Sequence, residues 1–376
     1  MNLTMSDSMS DEEFMRDVLQ RIATGPTLSK DLPAEHARQA MRLILENRAD
    51  EVQAGIFLIA LRMKRETDDE LAGILDAIHA GITPLPVEVD ELLSIVDPYD
   101  GFLRGLPMGP FLPAVLAACG LAVLTHGVDS MGPKFGASHE QVLRAAGHTP
   151  ASSREAAAAR LASESCGWAY LSQRQLAPEL AALTGLRTRI VKRPCLTTVE
   201  VALNSLVPRS SSHLVTGFVH KPYPPVYARL AARGGFASAI LVRGVEGGVV
   251  PSLTQGARYF TSSDGIHLAQ VDVEPTQAGI ACAERAVPLP AHLADDAIRS
   301  VRAPGNALAQ AIAVSSAAAG LAALGGDAGP ARDSLVYAGA IILHARNRVA
   351  SLAEGAARIR QVLDDGAAER HFADAG

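Results

Sequence analysis

The chain has 376 residues, 48% hydrophobic and 20% charged, long enough for one large or two modest cores and ordinary for a globular protein. A net charge of −6 argues against an extended nucleic-acid surface, and the most apolar run, 111–124, contains Pro113 and Gly120 and falls short of the roughly 20 residues of a membrane span. Cys119, Cys166, Cys195 and Cys282 lie far apart without a CxxC pair, so they read as free thiols of a reducing, cytoplasmic compartment.

Residues 1–12 are polar, rich in Met and Ser, and expected to be a disordered tail. Residues 13–83 read as a helical domain. Phe14, Val18, Leu19 and Ile22 recur at spacings of three and four, as do Ala40, Leu43 and Ile44. VQAGIFLIALRMKRE is continuously apolar, as the central helix of a bundle would be. Thr67 with Glu70 is a capping box for a further helix that stops at Gly81. Pro84 and Pro86 mark a linker. From 90 to 376 short β-rich runs alternate with Ala-rich helices. LLSIVDP, LAVLTHG, HLVTGFVH and SAILVRG read as strands, with PFLPAVLAACG, REAAAARLASES and PPVYARLAARGG as helices. This alternation predicts an α/β domain with a mostly parallel central sheet flanked by helices. Helices at 307–324, 333–347 and 351–364 close the chain.

In open α/β sheets, ligands bind beyond the carboxyl ends of the strands. LAVLT runs into His126-Gly127, TGFV into His220-Lys221, and AILV into Arg243-Gly244. If these strands are parallel neighbours, their glycine- and cation-bearing loops share one crevice suited to a phosphate or carboxylate. Residues 181–243 strengthen the case, since nine Lys or Arg there face Glu200 alone.

These residues resemble the superfamily of the anthranilate phosphoribosyltransferases and pyrimidine nucleoside phosphorylases. IFLIALRMKRETDDELAGIL, ACGLAVLTHGVDSMGPKFGASHEQVLRAAG and SLVYAGAIILHARNRVASLAEGAARIRQVLDDG carry the likeness over nearly the whole chain. The resemblance implies a small all-helical domain, with a helical contribution from about 165–200, and a larger α/β domain. It also implies a homodimer through the helical domain. The implied chemistry is attack of a nitrogen nucleophile on C1 of phosphoribosyl pyrophosphate, with magnesium on the diphosphate. Partners would be that phosphorylated sugar and an aromatic acid or base.

Departures from the family pattern alter the expected site. The diphosphate loop falls on Asp97-Pro98-Tyr99-Asp100-Gly101, and the next phosphate motif on Pro107, Gly109 and Pro110. The magnesium-binding Asp-Glu pair falls on Val249 and Val250, which offer a hard cation no carboxylate. What remains for a sugar phosphate is Gly101, His126, Gly127, Lys134 and Gly136, with Arg104, His220, Lys221 and Arg243 compensating by charge. Arg187 and Arg193 keep the spacing of the family's arginine pair, the first of which binds the acceptor's carboxylate. Asp100 and Glu246 are the candidate bases or metal ligands. The expected function is a pentosyltransferase with an altered donor site. The alternative is a non-catalytic paralogue that binds anions or nucleic acid, since LAPELAALTGLR, LVRGVEGG and PYDGFLRGLP resemble such paralogues in their loops.

Overall fold

The structure, a computed structural model, describes residues 9–25, 27–294 and 302–375. Residues 1–8 of the expected tail lie outside that range. Helix α1 (Asp11–Ile22) already begins within the rest of the tail, because Ser10 and Glu13 cap it reciprocally. Helices α2 (Ala34–Leu45), α3 (Glu51–Lys64) and α4 (Asp68–Ala80) complete the bundle. The Thr67–Glu70 box starts α4, and Gly81 ends it. Gly73 lets α4 cross α2 closely, since a Cβ there would sit 2.1 Å from the Ala34 carbonyl oxygen.

The strands among the described residues are β1 (Leu85–Pro86), β2 (Glu91–Val96), β3 (Ala122–Gly127), β4 (Trp168–Ser172), β5 (Leu206–Val207), β6 (Ser211–Phe218), β7 (Ser238–Arg243), β8 (Ala257–Ser262) and β9 (Ala269–Val273). β1 pairs with β5, so the proline stretch expected as a linker is hydrogen-bonded strand. The other seven form one sheet in the order β4-β3-β2-β6-β7-β8-β9. Its first five strands are parallel, and β8 and β9 add an antiparallel edge. The segment 165–200 opens with the buried strand β4 before turning helical at Gln173.

Successive strand residues point to opposite faces, and the two faces have different partners. Leu93, Ile95, Val123, Val215 and Ile240 pack with the C-terminal helices. Leu92, Val96, Leu124, Leu214 and Leu241 share a core with the helical bundle. The bundle is therefore seated on the sheet, and a cleft opens where α3 approaches the strand ends. The helix Ala307–Leu324 has the length and apolarity of a membrane span, yet half of it is buried. Leu308, Ile312 and Leu324 pack into the core, which accounts for its composition. The next helix begins at Pro330, earlier than expected, because proline suits a first turn.

Candidate functional site

β3, β2, β6 and β7 are consecutive parallel neighbours, so the loops after His126-Gly127, Val96, Phe218 and Arg243 leave one edge of the sheet. Between this edge and the bundle lies a cleft of about 120 Å³. Arg62 of α3, Arg193, His220, Tyr223, Tyr227 and Glu246 line it. Tyr223 stacks obliquely on His220 and Tyr227, with ring centres 6.4 and 5.6 Å away, and the Arg62 guanidinium lies 5.9 Å from its ring centre. A surface of aromatic faces and cations suits a ligand that is both planar and anionic.

Several expected residues meet here, but not as free ligand contacts. Arg193 donates to the buried Asp100 carboxylate from Nε at 2.9 Å and from its terminal nitrogen at 2.5 Å. Lys134 donates to Glu246 at 3.1 Å, and the same carboxylate accepts from the backbone of Leu103 and Arg104. Gly101 and Gly136 press against each other's chain segments. A Cβ on Gly101 would lie 2.5 Å from the Gly136 carbonyl, so these glycines permit a backbone crossing. Gly127 is similarly confined by the Tyr170 hydroxyl. Arg104, His220, Lys221 and Arg243 are exposed at the edge, and their side chains form no ion pair among the described residues.

His126 and Arg187 lie beneath the cleft. His126 Nδ1 bonds the Tyr99 hydroxyl, while its Nε2 is buried with no hydrogen-bond partner among the described residues. Burial pulls its pKa down to about 3, so the ring is neutral near pH 7. Arg187 is 2% exposed and holds the Glu200 carboxylate by two hydrogen bonds of 2.6 and 2.9 Å. Its guanidinium is thus engaged internally, where the resemblance implied a ligand's carboxylate. Glu200 also takes a weak bond from Gln173.

The charge excess of 181–243 largely disappears in the fold. Arg187, Arg189, Arg193, Arg209, Arg229 and Arg233 each pair with an acid, mostly from other segments. Of the nine cations, Lys192, Lys221 and Arg243 have no such partner among the described residues.

The segment where the resemblance puts the second phosphate motif is tightly packed. Pro107, Gly109 and Val250 line a residual cavity of about 30 Å³ with Phe102, Leu106 and Met108. That is room for about two waters at roughly 15 Å³ each, not for a diphosphate. Magnesium does not fit the residues present. Val249 is buried in the apolar core, and the nearby carboxylates Asp97, Asp100 and Glu246 are held by His139, Arg193 and Lys134 respectively. Among the described residues no cluster of three His, Cys, Asp or Glu forms a metal site. A larger polar cavity of about 600 Å³ beyond β3 and β4, bordered by Ser130, Ser172, Arg174 and Thr184, contains none of the expected residues.

Sequence reasoning missed Arg62, Tyr223 and Tyr227 in the cleft and Tyr99, Gln173 and Glu200 beneath it. Glu200 carried one signal, as the only acid in a basic segment.

Residues 16–80 match the family model described as the glycosyl transferase family, helical bundle domain. An uncharacterised protein of Aquifex aeolicus is 28% identical over 242 residues, 62% of this chain and 71% of that protein. The anthranilate phosphoribosyltransferase of Exiguobacterium sibiricum is 27% identical over 354 residues, 94% of this chain and 95% of the enzyme. The fold matches anthranilate phosphoribosyltransferase from Saccharomyces cerevisiae, solved in complex with PRPP and Mg. The TM-score is 0.74 at 15% identity, covering 98% of each chain. The chain thus carries a helical bundle that matches the glycosyl transferase family over residues 16–80, is similar over nearly its whole length to anthranilate phosphoribosyltransferases, and shares their fold.

Proposed function

We propose that the cleft binds a phosphorylated sugar of the phosphoribosyl pyrophosphate type through side-chain cations, without magnesium, on a pentosyltransferase scaffold. The observation that carries this is the cleft at the carboxyl edge of the parallel strands, lined by Arg62, Arg193 and His220, with Lys221 and Arg243 exposed at or just beyond the ends of β6 and β7. The yeast relative was solved with both that sugar and the metal. In a transfer by this chain, a nitrogen nucleophile would attack C1 as the bond to diphosphate breaks. Charge gathering on the leaving group would be met by these cations. Because Glu200 already occupies Arg187, an aromatic base fits as acceptor better than an aromatic acid.

Pairing of six of the nine basic residues favours a small anion over a polyanion, so nucleic acid is the outcome to be tested against. Calorimetry with phosphoribosyl pyrophosphate, with and without magnesium, checks the proposal. We expect equal binding in both, weakened about tenfold by replacing Lys221 or Arg243 with alanine, as loss of a charge-assisted contact implies. Absence of binding at millimolar ligand sinks the sugar-phosphate proposal. Tight single-stranded DNA binding with a steep salt dependence would move the function to a polyanion.

We also infer a homodimer through the bundle. Val52, Ile56 and Met63 on one face of α3 are 69%, 39% and 77% exposed, an apolar stripe that a second copy would cover.

A further inference from the structure

Loop 244–248 carries a strained acid at its centre. Glu246 has φ 53°, an unfavourable conformation for a side chain of its size, between Gly244 and the pair Gly247-Gly248. Its carboxylate receives the consecutive backbone N–H groups of Leu103, at 3.2 Å, and Arg104, at 2.7 Å. The Lys134 ammonium completes the set at 3.1 Å. Both side chains are largely buried, at 8% exposure for Glu246 and 13% for Lys134. Successive backbone N–H groups beside a cation form an anion-binding concavity. Every group in this seat is a donor, and its occupant comes from the protein itself. Glu246 also borders the cleft.

We propose that Leu103, Arg104 and Lys134 form a phosphate seat, and that Glu246 is an internal plug that a ligand's phosphate replaces. The inference rests on the cleft being an anion site, and it adds where one phosphate goes and why the cleft is small. The flanking glycines let the Glu246 loop swing away, relieving its backbone conformation and opening the cleft between Arg193 and Lys134. A phosphate accepts the same three hydrogen bonds and, as a dianion, is drawn more strongly to the ammonium than a carboxylate is. A purely structural ion pair behaves differently, because deleting the acid then only destabilises.

Inorganic phosphate titrated into the full chain and into Glu246→Ala, by calorimetry and thermal unfolding, separates the two. The plug predicts phosphate binding at least about tenfold tighter in Glu246→Ala, the gain expected when a competing charge-assisted contact is removed. It also predicts a saturable rise in Tm with phosphate, and loss of both gains in Glu246→Ala combined with Lys134→Ala. Glu246→Gln keeps the side chain's shape and decides the matter if the alanine variant folds poorly. It should bind phosphate more tightly than the parent. Folded Glu246 variants that bind phosphate no better than the parent, or a gain that survives loss of Lys134, overturn the plug. If the parent binds phosphoribosyl pyrophosphate and the variants show no gain, the plug alone falls. If no protein in the set binds any phosphate, the cleft assignment falls with it.

Discussion

Glu200 and Arg187 meet where almost no water reaches either side chain. Burial works against the Arg187 charge, but attraction and hydrogen bonds from Glu200 outweigh it and leave the guanidinium pKa raised. A buried pair of this kind specifies geometry more than it stabilises. Glu200→Ala should strand the arginine and cost about 3–5 kcal/mol, while Glu200→Leu with Arg187→Met should recover most of that loss. Urea midpoints at unchanged m decide between these outcomes. The arginine was legible in the sequence as a cation, but its partner was not. Glu200 reaches it only after the chain has turned back through 13 positions. His126 teaches the same lesson over 27 positions. It ends a strand correctly identified, yet strand alternation turns its ring inward against Tyr99.

Among the elements, strands with mostly buried, largely apolar stretches were readable because both faces of a parallel sheet are covered. β2, β3, β6 and β7 are of this kind, and their loops form the cleft. β8 and β9 were not read, since the antiparallel edge leaves Arg258, Gln270 and Asp272 outside the core and weakens the apolar signal. β4 was absorbed into an expected helical segment because it is only five residues long. α3 was recognised as central from its all-round apolarity, and the structure assigns part of that character to an exposed stripe. Ile56→Asp should convert a dimer to a monomer, as a charge at the centre of an apolar interface requires. Sedimentation velocity would show the shift, and unchanged sedimentation would place any dimer contact elsewhere.

For the whole molecule, proton linkage adds up over sites far apart in sequence. Burial lowers the pKa of His126 to about 3 and those of His148 and His213 to about 4. His213 is also kept neutral as it accepts a hydrogen bond from Arg346. Unfolded histidines, with pKa about 6.5, bind protons that these folded ones refuse. Stability should therefore fall as pH drops from about 6.5 toward about 4, by up to about 1.4 kcal/mol per pH unit for each group. Trp168, the single tryptophan, stacks on His148 with ring centres 4.6 Å apart and reports the transition by fluorescence. His148→Leu should remove that residue's share of the slope, and an unaltered slope would reject the assignment. By itself the sequence determined the α/β class, the helical bundle and the positions of the main parallel strands, because periodicity, capping and residue type are local properties. Only the tertiary structure decided which cations remain free, which carboxylates occupy them and how much room a ligand has. Those outcomes depend on charges brought together through space, from segments as distant as Arg193 and Asp100.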